Sequence, residues 1–339
     1  MKAESMGRSA WKRKEISRNR AAGNVNPIDL RIDTKIVAIQ VDPLTHFFHP
    51  DLGLQCDLLR TDLVNVDVPG NKWFKMKYNI EEMRRVGLNE LVTFGGAFSN
   101  HIAAVASAGE KYGFGTTGVI RGESSSWNNT TLSKAESQGM KLKFIDRITY
   151  REWKKGKVNL DDFLGMKDYY KLPEGGSNVL AVKGCSEILD GIDAYDVIAC
   201  PVGSGGTLAG LIVSASENLR ILGFSSLKGG EFLSDDIGQL LLDYDKTYGT
   251  THRKKSNWKI VTDYHFGGFA KMNSELVDFF MDFEINHNIE LDLIYTSKMM
   301  LGLRKMSENG ELENGSRILA VHTGGQQGNE SMFNRWGKG

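Results

Sequence analysis

The chain of 339 residues is long enough to bury a substantial core, as one large α/β unit or as two domains. Its 42 basic and 42 acidic side chains cancel, so no overall field draws it to nucleic acid or an anionic membrane, and a small molecule is the default partner. Three widely separated cysteines, Cys56, Cys185 and Cys200, argue against a disulfide framework and a four-thiolate metal site, and suit a reducing cytoplasm.

The first 24 residues carry seven basic and two acidic side chains without a continuous apolar stretch. They read as a disordered, solvated tail, with an organelle transit peptide as the other reading. No later segment reaches the length of a membrane span. From Lys72 onward, helical and strand patterns alternate, the signature of a largely parallel sheet covered on both faces. Met76, Ile80 and Met83 recur at helical spacing, and Leu91 to Phe94 reads as a buried strand. An Ala-rich helix is predicted from His101 to about Tyr112. Further strands are predicted at Thr117 to Ile120, Leu142 to Ile145, Val197 to Cys200, Ile221 to Phe224, Ile260 to Thr262 and Ile318 to Val321. Two basic clusters, Arg151 to Lys157 and Arg253 to Lys259, contain Trp153 and Trp258; in a neutral chain they read as solvated faces.

Glycines end several of these strands, at Gly95-Gly96, Gly203 to Gly206 and Gly324-Gly325, where a doubly wound sheet places its ligand crevice. The segment Ala199-Cys-Pro-Val-Gly-Ser-Gly-Gly-Thr-Leu-Ala-Gly210 leaves an apolar strand and opens a helix. Its glycines let backbone N–H groups approach an anion, Ser204 and Thr207 add hydroxyls, and the helix dipole favours negative charge. It lacks the Gly-Lys-Ser/Thr ending of a nucleoside-triphosphate loop, and Leu208 stands where a dinucleotide motif needs a third glycine. A monophosphate fits best. In Pro69-Gly-Asn-Lys-Trp-Phe-Lys-Met-Lys-Tyr78, Lys72 and Lys75 are three residues apart and face one side of a helix. In Thr93-Phe-Gly-Gly-Ala-Phe-Ser-Asn-His101, small polar groups sit at a strand-to-helix turn, where Ser99 is placed to cap the helix.

Taken in order, Gly-Asn-Lys, Gly-Gly-Ala-Phe-Ser-Asn-His, Gly-Ser-Gly-Gly-Thr, Leu293-Ile-Tyr-Thr-Ser-Lys298 and His322-Thr-Gly-Gly325 resemble the 1-aminocyclopropane-1-carboxylate deaminase and D-cysteine desulfhydrase family. The resemblance spans roughly Leu59 to the C-terminus. It implies a tryptophan-synthase-β-like α/β fold (fold type II), with two three-layer domains on open, mostly parallel sheets. Residues 25–74 and 177–339 would form a large cofactor-binding domain, and residues 75–176 a smaller inserted one. The implied cofactor is pyridoxal 5'-phosphate, with no metal. Matching positions make Lys72 the Schiff-base lysine. Lys75 and the loop Gly203, Ser204, Gly205, Gly206 and Thr207 would hold the phosphate, and Asn100 would meet the phenolate oxygen. Ser99 would face the substrate, Tyr295 would lie against the pyridine ring, and Thr296 would meet its nitrogen. Lys72, Ser99 and Tyr295 are the implied catalytic set, in a homodimer.

Elementary chemistry agrees with Lys72. A lysine beside another cation or in an apolar pocket loses its proton near neutrality and becomes nucleophilic, and once displaced it can take an α-proton. The resemblance also narrows the substrate, because the deaminases carry a carboxylate where this chain has Thr296. A hydroxyl cannot keep the pyridine nitrogen protonated, so a substrate whose β-substituent leaves readily is favoured over a cyclopropane. His101 after Asn100 also resembles the desulfhydrases. Phe98 and Phe269 stand where a glutamine and a tyrosine are expected, implying a more apolar pocket or plain core packing. The expected function is β-elimination on a small amino acid such as D-cysteine, giving a 2-oxo acid, ammonia and sulfide. The other readings are cyclopropane-ring deamination, dehydration or racemisation of serine-like substrates, and a cofactor carrier without turnover.

Overall fold

The computed structural model describes residues 38–123 and 129–336. The basic tail expected at the start of the chain lies outside them. The strands are β1 (Val41–Pro43), β2 (Gln55–Leu59), β3 (Glu90–Gly95), β4 (Gly115–Arg121), β5 (Lys141–Ile145), β6 (Tyr170–Lys171), β7 (Val197–Val202), β8 (Arg220–Ser225), β9 (Trp258–Val261) and β10 (Arg317–Val321). The helices are α1 (Asn71–Arg85), α2 (Asn100–Tyr112), α3 (Thr130–Ser137), α4 (Arg147–Lys154), α5 (Leu160–Leu164), α6 (Val179–Ser186), α7 (Gly206–Ser214), α8 (Leu233–Tyr248), α9 (Ser274–His287), α10 (Thr296–Glu308) and α11 (Asn329–Trp336).

The strands form two sheets. A six-stranded sheet runs in the order β1-β2-β10-β7-β8-β9, antiparallel only between β1 and β2. A four-stranded, wholly parallel sheet runs β5-β4-β3-β6. Each is sandwiched, and the strand pleat explains how. In β7, Val197 and Ala199 join one apolar cluster with Phe279 and Phe283 of α9 and Met299 of α10, whereas Ile198 and Cys200 join another with Leu208 and Leu211 of α7. In β3, Leu91 packs with Ile80 of α1 and Ile102 of α2, while Val92 faces Tyr150 of α4 and Leu164 of α5. The architecture is thus two three-layer α/β sandwiches with mostly parallel sheets.

Apart from β6, strands from β3 onward lie close to their predicted positions, with β9 starting two residues early at Trp258. Three strands have no counterpart among the expectations: β1 and β6, of three and two residues, and β2. The expected division between residues 74 and 75 falls inside α1, which is continuous there. Trp73, Met76, Ile80 and Met83 of α1 belong to the core of the smaller sheet and Phe74 to that of the larger, so α1 runs between the two.

Of the two basic clusters, the first is not simply a solvated face. Trp153 stacks on Phe94 with ring centroids 4.3 Å apart and lines a cleft, while Trp258 donates its indole N–H to the Lys255 carbonyl. No helix among the described residues is long and apolar enough to cross a membrane.

Candidate active site

The C-terminal ends of β3 and β7 open onto a cleft of about 820 Å³, into which the first turns of α1, α2 and α7 converge. Gly70 makes the entry to α1 possible. Its φ is 71°, and a side chain there would strike the Thr323 carbonyl at 2.0 Å, so only glycine lets α1 pass this close to the turn after β10. Lys72 in that first turn donates from Nζ to Asn71 Oδ1 at 2.7 Å, and Asn71 Nδ2 donates to Thr207 Oγ1 at 2.8 Å. Burial, reinforced by the Lys75 charge, pulls the Lys72 amine down to about 7. Lys72 is therefore available as a neutral nucleophile or base near neutral pH.

One helical turn on, Lys75 Nζ donates to the Gly175 carbonyl (2.9 Å), Ser177 Oγ (3.1 Å) and Ser204 Oγ (3.3 Å). Burial lowers its pKa as well. These bonds tie α1 to the segment before α6 and to the turn before α7, where Gly205 has φ 79° and caps the helix. A Cβ on Gly206 would lie 2.5 Å from Ser177 Oγ and 3.3 Å from Lys75 Cε. The loop thus offers backbone N–H groups, hydroxyls and one ammonium around one point.

Opposite stands the turn into α10. Asp292 holds it: Oδ1 accepts from the Ile294 and Tyr295 amides and Oδ2 from the Thr296 amide. Tyr295 packs beside Gly203, where an added Cβ would touch its ring at 3.0 Å, and burial pushes its phenol pKa up. Thr296 is fully buried and its hydroxyl has no hydrogen-bond partner among the described residues. An orphaned buried hydroxyl is costly, and its presence points to a group that completes it.

At the α2 turn, Ser99 accepts from the Ile102 amide at 3.3 Å, so the predicted cap forms, and Ser99 also borders the cleft. Asn100 Oδ1 accepts from Gln327 Nε2 at 3.0 Å. His101 is buried, and Nε2 lies 2.8 Å from Thr93 Oγ1. That hydroxyl donates its only proton to the Leu172 carbonyl, so Nε2 carries the imidazole hydrogen and Nδ1 is bare. Burial and the charges of Lys72 and Lys75 hold the ring well below its ordinary pKa, hence neutral.

Of the residues singled out in the sequence, Lys72, Lys75, Ser99, Asn100, Gly203, Ser204, Gly205, Thr207 and Tyr295 all line this cleft. Gly206 and Thr296 do not line it, although their chain neighbours Gly205, Thr207 and Tyr295 do. Phe269 borders the cleft, its ring edge-on to Tyr295 at 6.0 Å between centroids. Phe98 does not; it packs under the Arg335 guanidinium at 5.1 Å. A second cavity of about 540 Å³ shares Lys72, Asn100 and Thr323 with the first. Asn71, Ser177 and Asp292 were not anticipated. Asp292 left a readable trace, an Asp just ahead of a helix start; Ser177 left none. All three cysteines are buried and free, with their thiol pKa values raised by burial. Among the described residues, no group of three or more His, Cys, Asp or Glu side chains is placed to hold a metal ion.

This architecture is that of fold type II pyridoxal-phosphate enzymes. A crystal structure described as an ACC deaminase homologue superposes with a TM-score of 0.77 at 23% identity, covering 90% of this chain and 95% of that one. Tomato (Solanum lycopersicum) threonine deaminase isoform 2 follows it with a TM-score of 0.61 at 15% identity, covering 90% and 84%. In sequence, the chain is 28% identical over 289 residues to a Pyrococcus horikoshii protein with the provisional name 1-aminocyclopropane-1-carboxylate deaminase, covering 82% of this chain and 86% of that protein. It is 25% identical over 292 residues to the D-cysteine desulfhydrase of Yersinia pestis, covering 81% and 87%. No family model matches the chain. The chain is thus similar to proteins named for the deaminase and for the desulfhydrase, as its motifs are.

Proposed function

We propose that the chain is a pyridoxal-phosphate-dependent lyase that removes the α-proton of a small amino acid and expels its β-substituent, in the manner of a D-cysteine desulfhydrase. The observation that carries this reading is the convergence of Lys72, Lys75 and the Gly203 to Thr207 loop around one cleft.

The residues present fit the cofactor. Lys72 is an amine of lowered pKa suited to anchor an aldehyde, and Lys75 with the α7 N-terminal loop suits a phosphate. The unpartnered Thr296 hydroxyl suits a ring nitrogen, Tyr295 would flank the ring, and Asn100 would meet the ring oxygen. When bound, the cofactor supplies an electron sink for the charge left on the substrate's α-carbon. Lys72 Nζ takes the α-proton. Ser99 orients the substrate at the start of α2, whose first-turn amides and dipole favour a carboxylate. Tyr295 and Phe269 form an aromatic side of the cleft beside the reacting face. A β-thiolate leaves with the electron pair of its bond to carbon, and hydrolysis of the released enamine gives a 2-oxo acid and ammonia.

Cyclopropane-ring opening is the second reading, favoured by the name of the Pyrococcus relative. Thr296 weighs against it, since nothing at that position holds a proton on a ring nitrogen. The reading extends to a homodimer, supported by the family resemblance, and to a cytoplasmic setting, supported by three free thiols. The test is to add pyridoxal phosphate to the purified protein, record its visible spectrum, and assay sulfide and pyruvate from D-cysteine beside ammonia from 1-aminocyclopropane-1-carboxylate. A protein that stays colourless with the cofactor overturns the proposal.

A further inference from the structure

Between β9 and α9 the backbone bends through an unusual run. Phe266, Gly267, Gly268 and Ala270 all have positive φ, at 47°, 92°, 104° and 50°. Two of the four carry side chains, so the segment is strained and persists only because its surroundings hold it. Phe269 sits inside this run, lines the cleft and meets the Tyr295 ring edge-on.

Gly268 N–H donates to the His265 carbonyl and Lys271 N–H to the Gly268 carbonyl, each at 3.1 Å, and Lys298 adds a side-chain clamp to these bonds. Its side chain is 1% exposed, and Nζ donates to the His265 carbonyl at 2.9 Å and to the Gly268 carbonyl at 2.6 Å, so it spans the strained turn. Among the described residues no carboxylate pairs with it. Burial pulls its pKa down to about 8, with Asp292 opposing the shift. An apolar side chain would fill the same space without the cost of burying an ammonium. What the apolar residue cannot do is give these two carbonyls, each of which already accepts one backbone N–H, a second and charged donor that joins them across the turn. Lys298 belongs to the first turn of α10, whose start also carries Tyr295 and Thr296. One rigid helix end therefore fixes both the ring of Tyr295 and the backbone that presents Phe269.

We propose that Lys298 is a positioning residue that sets Phe269 against Tyr295 and thereby decides which substrate side chains the cleft admits. This rests on the cofactor-binding reading of the cleft. The test uses Lys298→Met, Phe269→Ala and the double variant, first by hydrogen exchange on the cofactor-free protein. Exchange in residues 264–272 of Lys298→Met rises by about tenfold or more while exchange in the α7 region is unchanged, as expected for losing two charge-assisted bonds to one segment.

The second measurement is binding of reduced phosphopyridoxyl-alanine and phosphopyridoxyl-leucine, which needs no turnover. Each single variant shifts the affinity ratio of the two conjugates toward the larger one by roughly fivefold, and the double variant shifts it no further. Unchanged exchange in Lys298→Met, or shifts that multiply in the double variant, overturns the proposal. If the unaltered protein binds neither conjugate, the cofactor reading fails and the specificity role with it, while the exchange result still decides whether Lys298 clamps the turn.

Discussion

Lys72 Nζ donates to the side-chain oxygen of its own neighbour, Asn71, at 2.7 Å, and the other end of that amide donates to Thr207. The amine that would anchor the cofactor is thus tethered through one side chain to the loop that would bind the phosphate. Replacing Asn71 by Ala cuts the tether without touching either group. Cofactor capture, followed by absorbance, slows by about tenfold, and the final spectrum is retained. Lys72→Ala, by contrast, abolishes both the spectrum and turnover; retained turnover would refute the anchor.

The Lys72 amine also gives the cofactor-free protein a pH signature. Its pKa falls from an ordinary 10.5 to about 7 on folding, so between these values the unfolded chain binds the extra proton. Its burial penalty is fully present below pH 7 and is relieved as the pH rises toward 10.5. Stability of the wild type relative to Lys72→Met therefore climbs across that window in urea titrations, and a flat difference would contradict the shift.

Thr296→Val removes a buried hydroxyl that has no partner among the described residues. The cofactor-free variant is at least as stable as the wild type by thermal unfolding. If the hydroxyl meets a ring nitrogen, cofactor affinity drops by roughly fivefold, the worth of one neutral hydrogen bond. Equal affinity would remove Thr296 from the site.

At Gly206, a methyl group would sit 2.5 Å from Ser177 Oγ, which must then move away from Lys75. Gly206→Ala loses on the order of tenfold or more in affinity for pyridoxal phosphate, and less for pyridoxal without the phosphate, measured by equilibrium titration. Equal losses for the two ligands would argue against a phosphate loop.

Much of the fold is legible in the sequence alone, because the central strands are long apolar runs and their pleat forces a two-sided core. Val197 to Cys200 and Ile318 to Val321 are such runs. Strand β6, of two residues, has no period to read, and β1 borders the larger sheet with no fully buried position. Among the site residues, glycine turns and the lysine pair announced themselves by local spacing. Phe98 and Phe269 did not separate in sequence, since both are single aromatic residues beside turns; only the tertiary position of Arg335 takes Phe98 out of the cleft. Lys298 read as part of a motif without a role, because its acceptors lie about 30 residues away, in the turn at His265 and Gly268.

The position of β10 has a consequence for how the molecule comes into being. It is the last of the described strands, yet it lies between β2 and β7 in the middle of the larger sheet. During synthesis the earlier strands emerge with a gap between them, and β2 can join the rest only when Arg317 to Val321 has left the ribosome. The turn that follows, Thr323 to Gly325, supplies part of the wall around Lys72. A nascent chain thus has no finished cleft around Lys72 until this strand and the turn after it are in place.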